Sequence, residues 1–263
     1  MDELDLARQM ADTAAEIALE YFTKDPEVTT KDDGTLVTVA DKSIEKELRR
    51  MIAGRFPDHA VLGEEEGLIG DPASPVWVLD PIDGTNNFAW GIPIFATLIA
   101  LRVDGRTEVG IASAPAIYER YEAERGGGAF MNGEPIHVSA ISDISDARMM
   151  YSSHGGVQSR GNPRGWWPLV YGAQRDRGFG DFWGHMLVAR GAGEVMYEPS
   201  LAIWDVAALE VIVEEAGGRI TGTTGKPYPN SRMFGKEGDG SCISTNGVLH
   251  DTVLEALSES GPS

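Results

Sequence analysis

In the stretch V-W-V-L-D-P-I-D-G-T-N-N-F, residues 76–88, an apolar run ends in two aspartates, Asp80 and Asp83, that bracket a proline. Like charges are normally kept apart or solvated, so a pair fixed beside the rigid Pro81 and followed by Gly84 and Thr85 implies a compensating cation. Two other stretches repeat the layout of an apolar strand running into carboxylates among small residues: V-L-G-E-E-E at 61–66 and A-I-W-D-V-A-A at 202–208. Oxygen-only ligands suit a hard cation such as magnesium, which keeps waters that a phosphate can replace. Pro81 fixes its own φ and forbids an ordinary strand between them, so both carboxylates can face one point. Gly84, Thr85 and Asn86 then start a helix whose free N–H groups suit phosphate oxygens. The alternative for this stretch is an aspartate-proline turn in which Asp83 caps the next helix. The two other acidic turns favour the cation.

The elements that must position these groups follow from periodicity. Residues 3–22 place Leu6, Met10, Ala14, Ile17, Ala18 and Tyr21 on one face of an amphipathic helix. Residues 25–41 read as a turn, a mobile acidic loop and an extended piece that ends at Asp41. Asp41 reads as an N-cap, with Ile44, Leu48, Met51 and Ile52 following on an apolar helix face. From Ala60 short apolar runs alternate with glycine turns as consecutive strands, and a hairpin at 128–138 closes a first half at about residue 140. The second half opens with a polar segment at 152–165, read as a lid or a tolerant surface loop. A turn and buried helix at 177–193, a strand E-V-M-Y-E, a helix from Asp205 to Gly217 and Gly218, and two short strands complete it. The expected architecture is α+β, with two intimately packed α/β halves, 1–140 and 141–263, and a site between them.

Composition bounds the function. The formal charge of −19, from 22 basic and 41 acidic residues, repels phosphate backbones and anionic lipid, so neither a nucleic acid polymer nor a membrane surface is an expected partner. Cys242 is the only cysteine, which excludes an intramolecular disulfide framework and a cysteine-built metal site and fits a reducing cytoplasm. The acidic start M-D-E-L-D-L-A-R and the lack of an apolar run of roughly 18 residues give no sign of export or anchoring.

The motifs G-E-E at 63–65, W-V-L-D-P-I-D-G-T-N-N-F at 77–88 and W-D-V-A-A at 204–208, with K-D-D-G-T-L-V-T-V-A-D at 31–41, resemble the ordered signatures of the inositol monophosphatase family of magnesium-dependent, lithium-sensitive phosphomonoesterases. They run in order from near the start of the chain to about residue 250. The resemblance implies a layered αβαβα sugar-phosphatase fold, two to three magnesium ions and inhibition by lithium. By position it implies that Glu64, Asp80 and the carbonyl of Ile82 hold one magnesium and that Asp80, Asp83 and Asp205 hold a second. A third, weaker ion is held mainly by waters and Glu64, while Glu65 supports this shell. Asp41 and Thr85 match the pair that orients and deprotonates the attacking water, and the amides of Gly84 and Thr85 match a phosphate cradle. Hydrolysis of a small phosphate ester without a covalent enzyme intermediate follows. Family members are often dimeric, so a homodimer is allowed, although the residues themselves mark no interface.

The alcohol is left to the second half. R-G-F-G-D-F-W and E-P-S-L before Asp205 are similar to the bacterial histidinol-phosphate phosphatase branch. That makes histidinol phosphate the expected substrate, with Asp181, Glu198 and Arg177 as substrate residues and a carboxylate pair suited to a cationic amine. Alternatives are inositol 1-phosphate or another sugar, aminocyclitol or nucleoside monophosphate and, in a different class, a catalytically silent metal- and phosphate-binding regulatory module. Asp181 also fits a plain helix cap, Phe182 and Trp183 fit the core, and His154 and His185 fit packing roles.

Overall fold

The computed structural model describes residues 2–23, 28–30, 36–226 and 240–258, so the K-D-D-G-T part of the upstream motif, at 31–35, lies outside the described residues. The chain enters through α1 (Glu3–Phe22), the paired strands β1 (Val28–Thr30) and β2 (Leu36–Thr38), and α2 (Val39–Arg55). Then come β3 (Ala60–Gly63), β4 (Gly67–Ile69), β5 (Val76–Asp83), the short α3 (Thr85–Ala89), β6 (Ala96–Val103), β7 (Arg106–Ala114), β8 (Glu119–Glu124), β9 (Gly128–Met131) and β10 (Glu134–Pro135). The remainder is β11 (Arg148–Tyr151), α4 (His154–Arg160), α5 (Pro163–Gly172), β12 (Arg175–Arg177), α6 (Asp181–Ala189), β13 (Val195–Glu198), α7 (Ile203–Glu215), β14 (Arg219–Thr221), β15 (Cys242–Thr245) and α8 (His250–Ser258).

Strands β3 to β10 form one eight-stranded sheet in the order β10-β9-β8-β7-β6-β5-β3-β4, and β11 to β15 form a five-stranded sheet in the order β12-β11-β13-β15-β14. Both sheets are covered on both faces, which is why their strands read as nearly continuous apolar runs. Along β5, Trp77 and Leu79 join Leu6, Met10, Ile44 and Leu48 of α1 and α2 on one face, while Val76 and Val78 join Val206, Leu209 and Val213 of α7 on the other. Period-two alternation of this kind assigns successive side chains to opposite cores. The five-stranded sheet repeats it: Val195 and Tyr197 pack under Trp166, Val253 and Leu257 of the outer helices, whereas Met196 meets Leu187 and Val188 of α6. The order helix, sheet, helix, sheet, helix gives five layers, with α6 and α7 as the middle one.

Two local expectations are corrected. Helix α2 begins before Asp41: its cap is Thr38, whose hydroxyl accepts from the Ala40 N–H at 3.1 Å, and Asp41 lies one turn inside. The polar segment at 152–165 is a loop only in composition. It holds α4, capped by Ser153 accepting from the Gly156 N–H at 2.9 Å, and the start of α5, capped by Asn162 at 3.1 Å from the Gly165 nitrogen with Pro163 in the first turn. Residues that cap helices are the ones that also populate loops. Strand β5 runs through Pro81 to Asp83 as no ordinary strand, since its register shifts between Asp80 and Asp83. No helix among the described residues is long and apolar enough to cross a membrane.

Candidate active site

The two aspartates that opened the sequence argument converge because of a β-bulge. Asp80 pairs with Leu98 and Asp83 with Ala96, so Pro81 and Ile82 together face the single residue Thr97. Positions three apart on a regular strand point to opposite faces; one extra residue returns them to the same face. Pro81 brings no N–H to the ladder, and its carbonyl accepts from the Thr97 hydroxyl at 2.8 Å. Both aspartates are buried, and carboxylate oxygens of Asp80, Asp83 and Asp205 all lie within 4.8 Å of one another.

Each neighbour is delivered by its own element. Gly63 of β3 pairs in parallel with Leu79 of β5, and the Glu64 N–H donates to the Leu79 carbonyl at 3.2 Å, which sets Glu64 beside Asp80. Asp205 lies in the first turn of α7, where its Oδ2 accepts from the Ala202 N–H at 2.7 Å. Asp41 Oδ2 accepts from the Thr38 N–H at 2.8 Å and the Thr38 hydroxyl at 2.6 Å, while its Oδ1 is buried without a partner. The Thr85 hydroxyl donates to the Ile82 carbonyl at 2.9 Å, so that carbonyl faces the start of α3 and keeps a second lone pair.

Gly84 holds the junction between bulge and helix with φ of +82°, a conformation that costs other residues about 1–2 kcal/mol. A Cβ there would also lie 3.0 Å from the Ile94 carbonyl and 3.4 Å from Asp181 Oδ2. Gly84→Ala is therefore expected to lower the melting temperature by several degrees and to cost at least about tenfold in turnover through displacement of the site. Thermal melts and initial rates on the purified variant check both.

The alternative in which Asp83 caps the helix that follows it is corrected: it caps α6, from 99 residues away, its Oδ2 accepting from the Phe182 N–H at 2.7 Å. Asp181 in turn does not cap its own helix by its side chain. It sits at the left-handed φ of +57°, with Oδ2 accepting from Asn87 Nδ2 at 3.2 Å and its backbone N–H bonded to Glu198. The first two amides of α6 thus meet carboxylates of Glu198 and Asp83, where the helix dipole favours negative charge. Asn87, which also donates to the Ile94 carbonyl at 2.9 Å, is a site residue that sequence reasoning missed; its signal was the asparagine pair after D-G-T.

Glu198 is buried, its Oε2 is unpartnered, and it lies 3.9 Å from the equally unpartnered Nε2 of fully buried His185, whose Nδ1 meets the Ser244 hydroxyl at 2.7 Å. Arg177 stands apart: it is exposed on edge strand β12, and its Nη1 donates to the Asp176 carbonyl at 2.6 Å. Phe182 is fully buried, and Trp183 packs beside it with its indole N–H donating to Glu119 at 3.1 Å. His154 stacks on Trp167.

Burial, followed by the charges of Glu64, Asp83, Asp205 and Asp41, holds the Asp80 carboxyl well above the usual carboxylate range. Burial and then Asp181 and Asp205 do the same to Asp83, and burial, Asp181 and Asp205 to Glu198. Burial raises Asp205 to about 7 against the Ala202 hydrogen bond, and raises Asp41 to about 6 against its two bonds from Thr38. A buried set of repelling acids with an unpartnered Asp80 Oδ1 is what a cation would neutralise, and the all-oxygen donors select a hard one. These residues fit a metal centre.

Known proteins match this architecture along its whole length. The family model described as "Inositol monophosphatase family" matches residues 1–261. A histidinol-phosphatase of Mycobacterium tuberculosis is 40% identical over 262 residues, covering 97% of this chain and 98% of that protein. One of Streptomyces coelicolor is 40% identical over 269 residues, covering 98% of each. The solved structure of an inositol monophosphatase from Anabaena superposes with a TM-score of 0.83 at 29% identity, covering 98% of this chain and 96% of that one. On a match that spans residues 1–261 and relatives alike over nearly their entire length, the chain belongs to the inositol monophosphatase family.

Proposed function

We propose that the protein is a cytoplasmic, magnesium-dependent phosphomonoesterase that hydrolyses histidinol phosphate to histidinol and inorganic phosphate. The observation that carries the reaction class is the convergence of carboxylate oxygens of buried Asp80 and Asp83 and half-buried Asp205 within 4.8 Å, beside Glu64 and the Ile82 carbonyl. In this reading Glu64, Asp80 and the Ile82 carbonyl hold one magnesium ion, and Asp80, Asp83 and Asp205 hold another. Bound magnesium supplies neutralisation of the phosphoryl oxygens and acidification of a water at the site.

The chain's own groups do the rest. Asp41 Oδ1, buried and without a partner, accepts the proton of the attacking water, while its other oxygen stays fixed by Thr38. Thr85, at the start of α3, orients that water with its hydroxyl oxygen, and the amides of Gly84 and Thr85 face the phosphate. In-line attack releases the alcohol without a covalent intermediate. Residues 1–140 supply most of these groups, and residues 141–263 supply Asp205 and the carboxylates that choose the alcohol.

The choice of histidinol phosphate rests on Asp181 and Glu198. Buried Glu198 and half-buried Asp181 beside the metal centre complement an ammonium group better than the hydroxyls of a polyol, and the relatives from Mycobacterium and Streptomyces carry the histidinol-phosphatase name. Phosphate release from histidinol phosphate, inositol 1-phosphate, fructose 1,6-bisphosphate and adenosine monophosphate at saturating magnesium tests it. Histidinol phosphate is expected to give the highest kcat/KM by at least about tenfold. Turnover of inositol 1-phosphate without turnover of histidinol phosphate would overturn the substrate, and release from none of the esters would leave a silent binding module.

A further inference from the structure

Helix α2 carries a buried acid for which the reaction has no use. Glu45 is fully buried. Its Oε2 accepts from the Glu65 N–H at 2.8 Å and its Oε1 from the Glu66 N–H at 3.0 Å. Both amides belong to the turn between β3 and β4, immediately beyond Glu64. One helical turn along, Arg49 donates from Nε to Glu45 Oε1 at 2.9 Å and brings Nη2 to 2.8 Å from the same oxygen. The same guanidinium reaches the Val61 carbonyl at 3.2 Å and the Gly67 carbonyl at 2.6 Å, at the two strands that flank the turn. Gly63 makes room for this: a Cβ there would lie 2.3 Å from the Glu45 carboxylate.

We propose that Glu45, braced by Arg49, is the positioning residue of Glu64, fixing the 63–67 turn so that Glu64 meets the magnesium ion shared with Asp80. The charge of Glu64 disfavours that of Asp80, so the turn that carries Glu64 has to be held against their repulsion. Two charge-assisted hydrogen bonds into consecutive amides oppose that displacement at the backbone, where side-chain rotation cannot relax it. Burying a carboxylate costs several kcal/mol unless it is paired and bonded. Here the pairing is placed at the turn that begins with Glu64. The inference rests on the proposed role of Glu64 as a metal ligand.

Glu45→Gln keeps the volume but leaves one acceptor for two amides and sets an NH2 group against an N–H. Magnesium binding to the full chain by titration calorimetry, alongside kcat against magnesium concentration, is the test. The magnesium Kd of Glu45→Gln is expected to rise by about tenfold, the scale for groups that orient a metal ligand, with kcat at saturating magnesium within about threefold. Arg49→Lys, which leaves both amide bonds in place, is expected to weaken binding by about threefold, and carries the test if Glu45→Gln does not fold. A lower melting temperature with unchanged magnesium affinity in the variants would make the clasp merely structural and overturn the proposal. Glu64→Gln separates the two levels: unchanged affinity there removes the metal role itself, whereas weakened affinity in Glu64→Gln with none in Glu45→Gln removes only the clasp.

Discussion

Asp83→Asn removes most turnover and yet raises the melting temperature of the metal-free protein. The asparagine oxygen can still accept from the Phe182 N–H, so the start of α6 stays capped, while one charge leaves a buried set of repelling carboxylates. Turnover is expected to fall by roughly 10²–10³-fold, the scale of losing one preorganised electrostatic group. A stability gain of about 1 kcal/mol corresponds to a rise of about 2–4 °C for a chain of this size. Asp83→Ala would lose the cap as well as the charge and melt lower than Asp83→Asn. Rates with magnesium and calorimetric melts in chelator check the pair of effects. Unchanged turnover in Asp83→Asn would remove Asp83 from the metal centre.

Asp205 is expected to draw down the stability of the metal-free protein as pH rises from about 6.5 to 8. Asp205 sits at about 7 in the fold, and burial holds Asp80 and Asp83 well above their ordinary range. In that window the native state keeps protons that the unfolded chain has released, so stability is greatest below the ordinary carboxylate pKa and declines as pH passes the raised folded values. Asp205 alone accounts for about 1 kcal/mol between pH 6.5 and 8. Buried His185 and His250, depressed to about 3 and about 4, act in the opposite sense below about 6.5, where the unfolded chain gains protons that they do not. Each still releases unfolded-state protons above pH 6.5 and adds about 0.4 kcal/mol up to pH 8, so together they offset the share of Asp205, which is isolated by comparison with Asp205→Asn. Magnesium needs the deprotonated acids, so the melting-temperature increase that it produces should grow over the same interval. Melts at half-unit steps of pH, with and without magnesium, measure both slopes. A pH dependence from 6.5 to 8 that is the same in the metal-free protein and in metal-free Asp205→Asn would contradict the electrostatic description of the site.

What the sequence made legible was whatever repeats locally. The face of α1, the apolar runs of β5 to β7 and the three acidic turns were all visible locally, and the motifs built on them pointed to the family and its layered fold. What stayed hidden depended on contacts between distant residues. Asp83 reads as a cap for the helix beside it but serves α6, because only the folded chain brings the Phe182 amide to it. Pro81 forbids an ordinary strand, but only the pairing with β6 reveals that a bulge replaces it and that the ladder resumes at Ala96. The segment at 152–165 has loop composition, and it is helical because Val157 and Trp166 bury against the five-stranded sheet, a packing effect that overrides weak propensity. Glu45 looks like any charged residue on a helix until Gly63 and the 63–67 turn close on it.

The central claim is a magnesium-dependent phosphatase built on Asp80, Asp83 and Asp205. It is tested most directly by titrating magnesium into chelator-stripped protein while measuring phosphate release from histidinol phosphate. The expected result is no release in chelator, then turnover that rises and saturates with magnesium and is largely lost in Asp83→Asn. Release that persists undiminished in chelator, or none at any magnesium concentration, would contradict the account.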